Sequence, residues 1–534
     1  KFQNQMYNFE LLAIYNNRWG DFDFTGTAGG NIYKVDNKTF LTTAQDMKIR
    51  DVVALMSFNE TSVQENSYRK QINSLFAAVN FGWKNLLYLD ATIRGDKSST
   101  LPSGNNLYVY PSVSASFVFS QLIERSDIIP YGKVRLSWAQ VGSDTDPYQL
   151  GLVYTKSKFS YPGYTIGYID NTTIPNKNLK PTRTNSFEVG FETKFLNNRI
   201  GLDFTYYNQK SKDQIMGMAS SWSTGYPYRL INAGEIQNTG IEIALNTRPI
   251  QIGDWSWDIN LNFSRNRNKV NKLVDGMDMF ELEKAAWCDV QVAAVVGENF
   301  GSIVAPGFKR NDQGQVIIDK NTGLPIKDET LRVIGNASWD WTGGLGTTLR
   351  WRNLSLSALF DVKVGADLYS MSERAVYESG KALATLAGRE EWYKSEEARK
   401  AAGVATGSWT PTGGYIVEGV VETSPGVYEK NTIPVNPEDY WMKVAREDPS
   451  AFVYDNSYIK CREITLSYDF PREWLGKYVQ GLSLSFVATN PFIVWKNIPN
   501  IDPDSNYNNT TGMGLEYGSL PSRKSYGFNI NVKF

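Results

Sequence analysis

Alternation organises this chain. In residues 186–207, SFEVGFETKFLNNRIGLDFTYY, Phe187, Val189 and Phe191 alternate with Glu188, Gly190 and Glu192. After a turn at 196–199, Ile200, Leu202, Phe204 and Tyr206 alternate with Gly201, Asp203 and Thr205. A period of two sends each set to its own side of a pleated strand, so the stretch predicts a β-hairpin with one apolar, aromatic face. Such a face is a core in a soluble sandwich and a lipid surface in a membrane barrel. The same alternation predicts strands at 6–18, 21–35, 68–82, 86–96, 109–121, 131–142, 185–196, 199–216, 238–250, 254–268, 340–352, 354–370, 456–470, 481–495 and 524–534. In one of them Trp257, Ile259, Leu261 and Phe263 alternate with Asp258, Asn260 and Asn262; the last sets Tyr526, Phe528, Ile530, Val532 and Phe534 against Gly527, Asn529, Asn531 and Lys533. Helical patterning is scarce, the best stretch being 382–402, which is charged and falls between strands.

The connections separate the two architectures. Links after odd-numbered strands are short: 19–20, 83–85, 122–130, 197–198, 251–253, 353 and 471–480. Those after even-numbered strands span 36–67, 97–108, 143–184, 217–237, 269–339, 371–455 and 496–523. A soluble sandwich has no reason to place every long loop on one side, whereas outer-membrane barrels pair short periplasmic turns with long extracellular loops. Loops of this length usually carry function or are disordered. The expected fold is therefore all-β, a transmembrane antiparallel β-barrel. By parity both the first and the last strand run from outside to the periplasm. An odd count leaves two open edges, which hydrocarbon does not tolerate, so residues 1–534 are expected to be the C-terminal portion of a larger barrel.

Composition then narrows the chemistry. The 534 residues carry 55 basic and 56 acidic side chains, a balance that implies no nucleic-acid or other polyanionic partner. With 13% aromatic residues the chain suits strands and interfacial girdles. No uncharged apolar run reaches the length of a transmembrane helix, and the mean hydropathy of −0.37 is what alternating strands give. There is no histidine, which removes Ser–His–Asp and Cys–His catalysis and all histidine metal sites. Cys288 and Cys461 form no CxxC; a disulfide between them would need an oxidising compartment.

Several stretches resemble one family, the SusC-like TonB-dependent transporters of the outer membrane of Bacteroidetes. They are 93–121 (IRGDKSSTLPSGNNLYVYPSVSASFVFSQ), 132–148 (GKVRLSWAQVGSDTDPY), 179–215 (LKPTRTNSFEVGFETKFLNNRIGLDFTYYNQKSKDQI), 232–246 (NAGEIQNTGIEIALN), 455–471 (DNSYIKCREITLSYDFP) and 521–534, in order along the chain. The resemblance implies a barrel of about 22 strands, with roughly seven strands, a plug domain and a TonB box upstream of residue 1. It implies an active importer in the outer membrane of a Gram-negative, Bacteroidetes-type bacterium, energised by TonB, with a SusD-like surface lipoprotein as a hinged lid and outer-membrane lipid around it. Its assemblies include dimers of SusC–SusD pairs. The cargo it implies is an oligosaccharide, or alternatively a peptide. Cys461 departs from the leucine usual in the family.

Other motifs have plainer readings. Arg94-Gly95-Asp96 spells an adhesion tripeptide but ends a strand. Residues 312–319 (DQGQVIID) lack the acidic ladder of a calcium loop and read as a glycine turn in a hairpin. Glu188 and Glu192 are ~13 Å apart by strand rise, too far for a hydrolase pair, and Glu390-Glu391 has no better claim. No enzyme activity and no cofactor is expected. The loop aromatics Trp222, Tyr226, Tyr228, Trp287, Trp392, Trp409 and Trp441 are the candidate substrate or lid contacts, because such rings stack on sugars and pack against partners. Phe534, an aromatic carboxy-terminus on an alternating strand, is the candidate signal for outer-membrane assembly. The rival readings are a passive porin, and a secreted β-rich glycan-binding protein that would be soluble without detergent.

Overall fold

The structure, a computed structural model, describes residues 2–123, 127–157, 162–169, 172–285, 288–508 and 510–534. Fifteen strands pair in chain order: β1 (Phe2–Trp19), β2 (Phe22–Met47), β3 (Phe58–Trp83), β4 (Leu87–Ser98), β5 (Leu107–Phe117), β6 (Tyr131–Ser143), β7 (Thr182–Phe195), β8 (Ile200–Ala219), β9 (Tyr228–Ile252), β10 (Trp255–Lys272), β11 (Trp341–Trp351), β12 (Leu354–Val364), β13 (Tyr458–Asp469), β14 (Gly481–Lys496) and β15 (Ser525–Lys533). Each of the fifteen predicted strands falls on one of these, and short and long connections alternate except at β5, where the connection before it (99–106) is shorter than the one after it (118–130).

Two long loops are corrected. The connections expected at 36–67 and 217–237 shrink to 48–57 and 220–227, because β2, β3, β8 and β9 continue past their apolar alternation. The β2–β3 ladder runs unbroken from Phe22 opposite Trp83 to Gln45 opposite Glu60. A ladder of backbone hydrogen bonds needs no greasy face once both sides meet water, so hydropathy is blind to this part. In the opposite sense the strand expected over 354–370 stops at Val364. Gly365 turns there with φ +90°, and a Cβ on it would lie 2.3 Å from the Asp340 carboxylate. Residues 367–370 then join another small sheet.

The described chain forms two compact units, 1–239 with 271–275, and 240–270 with 276–534. In the first, the registers set Val134, Phe191 and Phe204 side by side on one face, and Lys133, Glu192 and Asp203 on the other. Arg135 reaches across β7 to give two hydrogen bonds to Asp203, at 2.8 and 3.1 Å, and one to Thr205. Gly190 lies beneath it; a Cβ there would come within 2.2 Å of the guanidinium. Asp96, expected at a strand end, is buried and paired with Arg94 at 2.8 Å, so the adhesion tripeptide is not presented.

The second unit repeats the pattern. Trp257, Leu349, Leu356, Leu466, Phe486 and Phe528 follow one another across six strands. One residue on, toward the short-connection end, Ser256, Arg350, Ser355, Ser467, Ser485 and Asn529 form a wholly polar row. None of Ile200, Leu202, Phe204, Trp257, Ile259 or Leu261 is buried, so neither unit uses the apolar face as a protein core. Aromatic pairs gather at the short-connection end, Phe22 with Phe81 in one unit and Trp255 with Trp351 in the other. No helix among the described residues is long and apolar enough to cross a membrane.

Tyr206→Arg, on the apolar face about six residues up β8 from its short connection, is expected to destabilise the protein by about 2–4 kcal/mol if it lies near a bilayer midplane. Asp203→Asn exchanges one half-exposed ion pair for a hydrogen bond and is expected to cost less than about 1 kcal/mol. Urea titration of the folded protein in lipid vesicles measures both. Equal costs would contradict the assignment of faces.

Candidate functional site

Most of the deeply buried residues of the second unit lie in its long connections, 276–340, 365–457 and 497–524. Val292, Ile303, Ala305, Phe308, Tyr369, Val444, Phe452 and Leu515 join in one apolar cluster drawn from all three. Three helices belong to this layer: α1 (Met371–Glu378), α2 (Arg389–Ala401) and α3 (Pro437–Glu447). The helix expected over 382–402 is present as a short turn at Leu383–Leu386 followed by α2. α3 was not foreseen, yet its start is written in Asn-Pro-Glu-Asp. The Asn436 side chain accepts from Glu438 N at 3.0 Å, Pro437 occupies the first turn, and two carboxylates face the positive helix end.

Two polar devices fix these loops. Glu516, fully buried, accepts from Ser370 Oγ, Ser372 N, Ser372 Oγ and Ser519 N at 2.8–3.1 Å. Lower down, Tyr458, Lys460 and Arg462 share one face of β13. The Lys460 ammonium, 2% exposed, donates to Asp502 at 3.0 Å, Asp504 at 2.6 Å and Ser522 at 2.6 Å. Arg462 bridges Asp504 and Asp361. Burial alone would raise the Asp504 carboxyl, but hydrogen bonds from Arg462, Lys460 and Tyr458 outweigh it and hold the group below the usual range. Asp502 is lowered likewise, its burial outweighed by Ser522, the Asp504 backbone and Lys460.

Between the helices and the small strands lies a cavity of 910 Å³. Tyr377, Tyr428, Tyr440 and Trp441 supply rings to its wall, and Arg310, Glu418 and Lys430 supply charges. A second cleft of 280 Å³ is shared by Trp441, Trp392, Tyr393 and Arg389. Trp441 therefore borders both. It packs against Tyr377 and Tyr440 at centroid distances of 5.1 and 5.0 Å, and its buried indole N–H finds no hydrogen-bond partner among the described residues. Burial, with Tyr415 alongside, pushes the Tyr440 phenol up, so it stays a neutral donor at any physiological pH.

Of the aromatic residues singled out from sequence, the structure brings Trp441 and Trp392 together. Trp409 is held outside the cleft, its indole N–H donating to Ser395 Oγ at 3.2 Å on α2. Trp222, Tyr226 and Tyr228 belong to the other unit, within or beside the connection 220–227. Trp287 lies outside the described residues. Phe534 ends the chain 82% exposed. Tyr377, Tyr428 and Tyr440 were missed; only the amphipathic spacing of α3 would have found Tyr440. Residues 310–316 do form the expected turn, with Arg310 bridged to Val316 and Gly314 at φ +79°.

Because the folded Asp502 and Asp504 sit below the unfolded carboxylate value of ~3.9, their contribution is complete above that pH and is lost as pH falls through the lower folded values. Hydrogen exchange across 497–524 is expected to stay slow from pH 7 to about pH 4 and to accelerate only in stronger acid. Asp502→Ala leaves Lys460 short of a buried partner and is expected to loosen the same segment at pH 7, at a cost of about 3–5 kcal/mol. Slow exchange in that variant would show that the network does not anchor the loop.

Comparison with known proteins adds the family. Residues 2–352 match the family model described as TonB dependent receptor-like, beta-barrel. TonB-dependent receptor P3 of Formosa agariphila is 25% identical over 98% of this chain and 52% of its own length. TonB-dependent receptor SusC of Bacteroides thetaiotaomicron is 22% identical over 87% of this chain and 44% of its own. Among solved structures, the RagAB peptide transporter superposes with a TM-score of 0.77 over the whole chain and 56% of its own, at 18% identity, a likeness of fold. The chain spans about half the length of the curated relatives it matches. The strand order, the segregated faces and the match over 2–352 place this chain in the TonB-dependent receptor-like β-barrel family.

Proposed function

We propose that this chain is the loop-bearing portion of an outer-membrane importer that takes up polar oligomers, oligosaccharides first, with TonB as energy source and a SusD-like lipoprotein as lid. One observation carries the reading: a cavity of 910 Å³ on the long-connection side, walled by six aromatic rings and by side chains able to donate and accept hydrogen bonds. Ring faces stack on the apolar faces of sugars, and Arg310, Lys430 and Glu418 in the wall can donate to and accept from hydroxyls. The polar rows on one face of the sheet suit a hydrated path for such a solute. The relatives named for SusC and for TonB-dependent receptors support the energy source and the lid. Further strands, from the same polypeptide or another, pair the exposed edges of β1 and β15 in the membrane, since unpaired backbone in hydrocarbon costs several kcal/mol per group.

A second reading, peptide import, draws on Arg310, Lys430 and Glu418 in the same cavity wall, because charges of both signs suit peptide termini. The RagAB structures, of a peptide importer, support it equally in fold.

Purification from native membranes with identification of co-purifying chains tests the lid; a detergent-soluble protein that never carries a surface lipoprotein would count against it. Calorimetric titration with neutral oligosaccharides and with peptides separates the cargoes. Trp441→Ala is expected to weaken cargo binding by about two- to tenfold, the worth of one ring contact, with Trp441→Phe restoring most of it. Deleting Phe534 is expected to lower the folded protein in the outer membrane without lowering synthesis; unchanged surface levels would remove its role in assembly.

A further inference from the structure

The apolar face of β1–β5 is not smooth. The registers place Leu11, Gly30, Leu75, Gly95 and Val109 in one row, large and small in turn. The next row toward the short-connection end is Ala13, Ala28, Ala77, Ile93 and Pro111. Neighbouring strands are about 4.8 Å apart, so a glycine or alanine among leucines leaves a slot one alkyl chain wide. The result is a furrow of 1170 Å³ with mainly apolar walls, Phe9 and Phe76 among them; Glu10 also borders it, from the row it shares with Asn31 on the opposite face. Leu11, Leu75 and Ile93 flank it with more than half their surface exposed.

The furrow has a charged end. Lys97, opposite Asn73, lines it, and Lys34, opposite Gln71, stands one step beyond Ile32 on the same face. Both are exposed, and no carboxylate among the described residues pairs with either. The nearest acid on that face, Asp36, is already engaged by Arg69 at 2.9 Å. Position along the strand fits as well. From the aromatic end at Phe22, twelve residues up to Lys34 at ~3.4 Å each and a ~40° tilt climb about 30 Å, the thickness of the hydrocarbon layer. The lysines then stand at headgroup level on the long-connection side, with the furrow running inward from them through one leaflet.

We propose that this furrow binds the acyl chains of a phosphate-bearing, multiply acylated lipid of the outer leaflet, with Lys34 and Lys97 on its phosphates. The assignment rests on the membrane reading above. It commits to an anionic lipid rather than a second copy of the chain because the end of the furrow is cationic and unpaired. A copy of this chain would bring two further unpaired lysines to the same contact.

The test uses the full protein isolated from native outer membranes, transferred to a mild detergent, with retained lipid phosphate and fatty acid measured per protein. The wild type is expected to keep a stoichiometric phosphorylated lipid. Lys34→Ala/Lys97→Ala is expected to keep several-fold less, about fivefold for each lysine near a charged surface. Gly95→Leu fills the slot and is expected to lose fatty acid likewise; a Cβ there meets only ordinary contacts, Val109 at 3.6 Å and Leu107 at 3.9 Å. Val113→Leu, on the same face beyond the furrow, is expected to behave as wild type. Resistance to unfolding in cold detergent verifies that each variant is folded. Equal lipid on all four proteins, or a dimer lost in the variants while lipid is unchanged, would overturn the proposal and leave the importer reading standing. A wild type that leaves the membrane without detergent and carries no lipid would overturn both.

Discussion

Backbone pairing is the constraint on which the rest of this structure depends. A strand in hydrocarbon has no water to satisfy its N–H and C=O groups, and only a neighbour on each side can do so. From β2 to β14 every strand has two such neighbours, and all are consecutive in the chain. Side chains are then free to serve solvent rather than cohesion. Along Trp257–Leu349–Leu356–Leu466–Phe486–Phe528 they offer grease without packing into a core. Along Lys133–Glu192–Asp203 they offer charge. Cohesion inside this sheet comes from the ladder and from polar bridges such as Arg135 to Asp203.

The conventional core appears where water returns. The long connections of the second unit bury Tyr369, Phe452, Ile303 and Leu515 as a soluble domain would, and they are tied down by charges rather than by strand pairing. Glu516 and Lys460 show how this is done at tolerable cost. Each is almost fully removed from solvent, Glu516 accepting and Lys460 donating several short hydrogen bonds that tie in segments distant in the chain. The candidate cargo cavity is walled by this layer, so its shape depends on loop anchoring more than on the sheet.

Sequence reading reached the sheet because alternation is local. Phe187 to Tyr206 state their faces without help from the rest of the chain, and the connections need only be counted. It failed where polar residues pair with polar residues, as in β2–β3 beyond Lys34, because hydropathy carries no signal when both faces meet water. Of the candidate site, Trp441 and Trp392 were legible as loop aromatics, but nothing distinguished them from Trp409, whose indole N–H is spent on Ser395. That difference exists only after α2 and α3 are placed. Lys460 read as one more polar strand residue; its partners at Asp502, Asp504 and Ser522 come from a connection whose path no periodicity describes. The Asn436 cap of α3 was in plain view and went unread.

Past Thr39, where the pairing with β1 ends, the ladder of β2 and β3 continues as a two-stranded ribbon, with its tip at 48–57. A ribbon of two strands has no second layer to lean on, and its stability is borrowed from the wide sheet at its foot. It can therefore open only like a zipper pulled from the free end, each rung guarded by the one beneath. Damage at the tip, whether a protease cut or an inserted peptide, would be absorbed in the first few rungs and would not propagate to the wall. Substitutions at the tip are therefore tolerated more readily than the same substitutions at the foot, where a rung is shared with the wide sheet.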